Sequence, residues 1–153
     1  MRVIQCDYLV VGSGMAGLSA ARNLSKHGEV LVVTKKEKWE SNTNYAQGGI
    51  ACVMLEDDSF EMHIADTLDA GAGLCDEDVV RDIVSAAPAR IQELRDIGMK
   101  FTERTDTLNG ELDLGREGGH SKRRILHAGD ITGRHMEEVL LKNVAKNKKI
   151  TMM

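Results

Sequence analysis

Apolar residues in the first third of the chain come in two short unbroken runs. Tyr8 to Val11 lies between Asp7 and Gly12, and Glu29 to Thr34 holds Val30, Leu31, Val32 and Val33. Runs of this length read as buried parallel strands. Between them, Leu18 to Leu24 has helical character, and His27-Gly28 supplies a stop. The opening is thus a β-α-β unit, whose crossover should be right-handed. Periodicity then vanishes from residue 35 to 53, where Ser41, Asn42, Thr43 and Asn44 precede Gly48-Gly49. A loop this long is functional or disordered.

Helical spacing returns in Phe60, Ile64 and Leu68. Asp76 opens another helix through Val79, Val80, Ile83 and Val84. Pro88, the sole proline, suits the first turn of a further helix carrying Ile91, Leu94 and Ile97, ended by Gly98. Residues 99–115 read as irregular or weakly β. Residues 116–133 are polar, glycine-rich and basic. Gly133 to Asn147 is helical, and Lys149 to Met153 resembles the start of a strand. The fold class is α/β. A doubly wound sheet needs more strands than this to cover its core. The expectation is therefore that residues 1–153 are the N-terminal part of a longer protein.

Composition narrows the classes. The chain has 153 residues, 42% apolar and 29% charged, which is globular in character. A formal charge of −4 argues against nucleic-acid binding through phosphate neutralisation. No apolar run is long enough for a membrane helix. The opening residues read as a strand and not as a targeting segment, so a cytoplasmic location is expected. Cys6, Cys52 and Cys75 form no C-x-x-C, and neither a disulfide framework nor a metal site is expected.

The first chemical motif is Gly12-Ser13-Gly14-Met15-Ala16-Gly17, a G-x-G-x-x-G between strand and helix. Gly12 allows the tight turn, Gly14 the approach of a pyrophosphate, and Gly17 close helix–strand packing. The helix N-terminus offers N–H groups to phosphate. The acid that usually follows the second strand for a ribose is missing. Thr34, Lys35 and Lys36 stand there, then Glu37. Glu37 could be a displaced acid, or Thr34 and Lys35 could hold ribose or phosphate. An NADP site would also accept a lysine.

The loop Ser41-Asn42-Thr43-Asn44-Tyr45-Ala46-Gln47-Gly48-Gly49-Ile50-Ala51 resembles the flavin-contacting loop of the fumarate reductase, succinate dehydrogenase and L-aspartate oxidase flavoprotein family. The A-Q-G-G-I-A core carries the likeness. A Thr-Lys pair after the second strand is also typical of it. The resemblance implies a partial Rossmann-like FAD-binding domain with a parallel sheet and flanking helices. Amides of Asn42, Asn44 and Gln47 suit a flavin's polar edge, and Gly48 and Gly49 its ring. Covalent-flavin members carry a histidine where this chain has Asn42, so the resemblance implies non-covalent FAD.

The stretch Gly115-Arg116-Glu117-Gly118-Gly119-His120-Ser121, continuing through Arg123-Arg124-Ile125-Leu126-His127 to Asp130-Ile131-Thr132-Gly133, is similar to the signature of the L-aspartate oxidase branch. That branch implies oxidation of L-aspartate to iminoaspartate, with oxygen or fumarate as electron acceptor; since the family's catalytic arginine and carboxylate-clamping residues lie past residue 153, it also implies that residues 1–153 alone have no oxidase activity and bind FAD weakly or not at all. It also implies a place in quinolinate and NAD biosynthesis, and quinolinate synthase as a partner. Glu117, as a buried carboxylate, would pair with the substrate ammonium and disfavour a plain dicarboxylate. His120 is placed in the active site without a proton-transfer role. Lys122-Arg123-Arg124 reads as a solvated basic face, or as an attractor for a dianion. His127 and His135 read as structural, and His27 and His63 as surface or core fillers. A fumarate reductase-like enzyme and a non-catalytic nucleotide-binding module are the alternatives.

Overall fold

The computed structural model describes residues 3–35, 37, 40–107 and 110–153. Lys36 of the expected ribose segment lies outside them. The chain divides into two compact units, residues 1–47 with 131–153, and residues 48–130.

The first unit holds strands β1 (Tyr8–Val11) and β2 (Val30–Val33) with helix α1 (Met15–Leu24) between them. After the second unit, the chain returns as helix α4 (Thr132–Ala145) and strand β6 (Ile150–Met152). The three strands form one parallel sheet in the order β1-β2-β6. Tyr8 pairs with Val30, and Val30 with Ile150. Val30, Val32 and Ala21 form the buried centre, flanked by Tyr8, Val10, Leu24, Ile150 and Met152. Helices α1 and α4 pack together. Arg22 Nε donates to Asn143 Oδ1 at 2.7 Å, and Asn147 Nδ2 to Ser25 Oγ at 2.8 Å.

The central strand is buried as expected, but β1 is not. Its inward residues Tyr8 and Val10 are half-buried, while Leu9 is 60% exposed and Val11 79%. A strand at a sheet edge buries only the face that a helix covers, and α1 covers one face of β1.

The second unit holds strands β3 (Ile50–Ala51), β4 (Leu114–Gly115) and β5 (Ile125–Leu126), with helices α2 (Phe60–Ala70) and α3 (Glu77–Asp96). Its antiparallel sheet has the order β3-β5-β4. These two-residue strands are too short to show a period in the sequence. Ser59 caps α2 by accepting from Met62 N at 3.2 Å, and Asp76 caps α3 by accepting from Val79 N at 3.2 Å.

Pro88 does not start a new helix. It lies inside α3, which runs unbroken for 20 residues. Proline there removes the bond to the Val84 carbonyl, a cost of about 3 kcal/mol. Val84 and Ile91 stand two turns apart on one face, and both are buried. Their burial stabilises by about 1.5–3 kcal/mol each, enough to hold the helix through the defect.

Gly17 packs α1 closely against the turn that begins it. A Cβ there would run into the Gly12 carbonyl oxygen and lie 3.5 Å from Val10 Cγ1. Gly17→Ala should therefore force α1 off the sheet, at a cost of about 2 kcal/mol. Thermal unfolding should show a clear drop in midpoint. An unchanged midpoint would show that the turn can yield.

Candidate functional site

In the first unit, the turn after β1 is set by Gly12, whose φ of +108° favours glycine. Gly12 N donates to Val33 O at 2.8 Å, tying the turn to β2. Gly14 is the N-cap of α1 and offers no side-chain cap. The first turn of α1, from Met15 through Ala16 and Gly17, contains no acidic residue. Its N–H groups lack intrahelical acceptors, as at any helix start. Ser13 is buried, and its hydroxyl lies 3.4 Å from Thr34 Oγ1 as donor. Thr34 thus ends β2 beside the glycine turn. Lys35 is exposed.

The polar loop is built around Ser41. Its hydroxyl donates to Glu137 Oε1 at 2.6 Å and accepts from Thr43 N at 3.1 Å and Asn44 N at 3.4 Å. Successive turns follow, with Tyr45 N donating to Asn42 O and Ala46 N to Thr43 O. Thr43 Oγ1 then accepts from Met15 N at 3.2 Å, capping the helix that the glycine motif begins. A Cβ on Gly14 would sit 3.5 Å from that hydroxyl. The G-x-G-x-x-G turn and residues 41–46 therefore meet in one place, as a site shared by both requires. Asn42, Tyr45, Ala46 and Gln47 are exposed there, and Asn44 is half-buried.

Two residues behind this loop escaped the sequence reading. Glu137, on α4, is 1% exposed. Burial pushes its carboxyl up, and the Ser41 hydroxyl opposes that shift. Gly133 gives the loop room: a Cβ on it would meet Thr43 O and Ala46, and its N–H donates to Ala46 O at 3.0 Å. The T-G dipeptide was visible in sequence, but its role needs the fold.

In the second unit, Gly48 and Gly49 behave differently. A Cβ on Gly48 would stand 3.7 Å from Glu117 Oε1, so the predicted glutamate lies beside the A-Q-G-G backbone. A Cβ on Gly49 would collide with Ile125 Cγ2 and Leu126 O. The missing side chain of Gly49 serves strand packing, a role the sequence reading did not give it.

Glu117 is exposed, not buried as expected. No described side chain covers or pairs with it, so water solvates the carboxylate. Behind it lies a buried cluster. The sequence reading put Arg124 on a solvated face, yet its side chain is 0% exposed. Nε and Nη2 donate to Asp58 Oδ2 and Oδ1 at 2.8 and 2.7 Å. Nη1 donates to Asp66 Oδ2 at 2.6 Å and faces His120 Nδ1 at 3.3 Å. Two carboxylates and a forked geometry make this burial tolerable. Lys122 instead pairs with Asp57 near the surface, and Arg123 is exposed.

Asp66 also accepts from Ser121 N and Ser121 Oγ, both at 2.8 Å. Burial raises its pKa, but the Ser121 and Arg124 bonds outweigh this and hold it at about 2. His63 is buried as a core filler, with its ring 5.5 Å from that of His120. Burial is the largest cause that pushes the His63 pKa down, and the Arg124 guanidinium adds to it. The His127 carbonyl accepts from Thr102 N, and its Nε2 lies 3.6 Å from Asp113 Oδ2.

Comparison with known proteins agrees with this geometry. A family model described as FAD binding domain matches residues 7–153. The chain belongs to that FAD-binding family. FAD is its cofactor, and the glycine cradle with an acid-free helix start fits the pyrophosphate. The chain is 52% identical over 144 residues to the chloroplastic L-aspartate oxidase 2-b of Nicotiana tabacum, covering 94% of this chain and 22% of that protein. It is 49% identical over 151 residues to L-aspartate oxidase of Vibrio cholerae, covering 97% and 28%. A variant of Escherichia coli quinol fumarate reductase superposes with a TM-score of 0.92 at 33% identity, covering 99% of this chain and 26% of that one. The chain thus spans about a quarter of the length of these relatives. Among the described residues, no helix is long and apolar enough to cross a membrane.

Two outcomes follow from the geometry. In a full-length protein carrying these residues, Gly14→Val would fill the phosphate cradle, so the purified variant should lose its flavin absorbance; wild-type flavin content would refute the cradle. Asp66 stabilises the fold above the ordinary carboxyl pKa of 3.8 and loses that contribution as pH falls through about 2. Denaturant titrations should therefore show stability falling between these values. Asp66→Asn should be weaker at neutral pH by on the order of 2 kcal/mol and flatter across that window.

Proposed function

We propose that this chain belongs to an enzyme that oxidises L-aspartate to iminoaspartate with non-covalent FAD. The observation carrying this reading is the Glu117 carboxylate beside Gly48 of the A-Q-G-G segment. The roughly 50% identity to L-aspartate oxidases, against 33% to a fumarate reductase, supports it. Residues 1–153 are read as the N-terminal part of the FAD domain.

Bound FAD would supply a two-electron acceptor for the hydride leaving the α-carbon. The chain's residues bind and orient. The turn at Gly12, Ser13, Gly14, Met15, Ala16 and Gly17 holds the pyrophosphate on backbone N–H groups. Thr34 and Lys35 serve the ribose end. Asn42, Thr43, Asn44, Tyr45, Ala46, Gln47, Gly48 and Gly49 form the flavin-contacting segment. Asn42 has an amide where a covalent link needs an imidazole, so the cofactor stays exchangeable.

Aspartate differs from succinate by an ammonium on the α-carbon. Glu117 supplies the charge-assisted acceptor that only the amino acid can use. Filling of the site by substrate removes the water that solvates this carboxylate, and a plain dicarboxylate would then leave it unpaired. Oxygen or fumarate takes the electrons afterwards. The product suits quinolinate synthase and NAD biosynthesis, in the cytoplasm.

In a full-length oxidase carrying these residues, Glu117→Gln should lower kcat/KM for L-aspartate about thirtyfold. Fumarate reduction should change less than about threefold. Equal losses in both reactions would remove ammonium recognition from Glu117.

A further inference from the structure

His120 stands in the same turn as Glu117, and its N–H donates to the Glu117 carbonyl at 3.3 Å. What its ring can do is fixed by its neighbour. Arginine has donors and no acceptor. Arg124 Nη1 lies 3.3 Å from His120 Nδ1. An N–H facing an N–H would be repulsive, so Nδ1 must present its lone pair. The ring proton is then on Nε2.

This constraint is firm because Arg124 has nowhere to go. Its side chain is wholly buried, and Asp58 grips Nε and Nη2 while Asp66 takes one Nη1 hydrogen. Only the second Nη1 hydrogen is left for His120. Asp66 also fixes Ser121 through backbone and hydroxyl, so the residue after His120 is tied to the same cluster. The buried His63 ring lies 5.5 Å from that of His120.

We propose that Arg124 is a positioning residue that sets the tautomer of His120, with the ring proton on Nε2. The ring is thereby a hydrogen-bond donor to a substrate carboxylate, and it is not a proton acceptor in the reaction. This rests on the reading of residues 117–121 as the substrate loop and gives that loop its second contact. Glu117 takes the ammonium, and His120 takes an anionic oxygen. A ring held as a donor suits dianion binding, whereas a base would need its free lone pair directed at the substrate.

The first test is nitrogen NMR of the flavin-loaded, full-length oxidase with labelled histidine. The His120 signal is assigned by its loss in His120→Gln. An unprotonated Nδ1 and a protonated Nε2 are expected. The opposite tautomer, or a doubly protonated ring at neutral pH, would overturn the proposal. This measurement needs no turnover, so an enzyme inactive on L-aspartate would sink the proposed function while the signal still decides the tautomer.

The second test uses reach. A glutamine amide nitrogen can occupy the position of Nε2, whereas an asparagine amide stops near Nδ1. His120→Gln should raise KM for L-aspartate about threefold and His120→Asn about thirtyfold. In both, kcat should fall less than tenfold. A loss in kcat beyond about a hundredfold in both variants would mean the ring moves a proton, and the donor role would be wrong. Arg124→Lys should shift the His120 signal in any folded variant, because lysine lacks the fork that reaches both aspartates and the ring.

Discussion

Close approach of backbone to backbone, at places where no Cβ fits, governs both units. Gly17 lets α1 touch the turn that begins it, Gly133 lets α4 meet the polar loop, and Gly49 lets β3 lie on β5. Each contact brings main-chain polar groups to a defined place, because backbone atoms cannot change rotamer. Phosphate and flavin recognition by N–H groups depends on that rigidity. The side chains around these glycines then have modest tasks. Thr43 caps Met15 N, and Ser41 gathers two loop N–H groups onto Glu137.

The second unit adds a different device. Glu117 and His120 sit on a turn without regular structure, and a turn alone would hold them loosely. The buried Arg124 guanidinium with Asp58 and Asp66 replaces a hydrophobic anchor. Such clusters add little net stability compared with a packed apolar core, since desolvation offsets attraction. They add direction: a carboxylate and a fork accept few arrangements. Asp66 reads out that order by holding Ser121 and Arg124 together, and its depressed pKa is the electrostatic trace of the same bonds.

The β-α-β opening, the helices α2 and α4 and the last strand were legible because each has an unbroken run or a clear period over one or two turns. Both glycine motifs were legible because glycine at fixed spacing reports a backbone demand. The burial of Arg124 was not, since Lys122-Arg123-Arg124 looks uniform as a string and only the fold separates its members. Asp58 and Asp66 lie 66 and 58 residues away from it, beyond any local pattern. The continuity of α3 through Pro88 was hidden for the opposite reason. Local chemistry argues for a break there, and burial of Val84 and Ile91 overrides it. The short strands β3, β4 and β5 leave no periodic signal at two residues each.

The contrast between Glu117 and Arg124 shows how charge is apportioned in a recognition turn. A charge that must meet a ligand has to be solvated before the ligand arrives, because an unpaired buried carboxylate would take up a proton and lose its use. Glu117 is exposed, which the proposed ammonium contact requires. A charge that only positions others gains from burial, where its bonds are strong and its partners permanent. Arg124 is wholly buried and paired twice. His120 stands between the two regimes, half-buried, with one ring nitrogen facing the buried cation. That placement turns one ring nitrogen to the interior, and the proposed substrate contact uses the other.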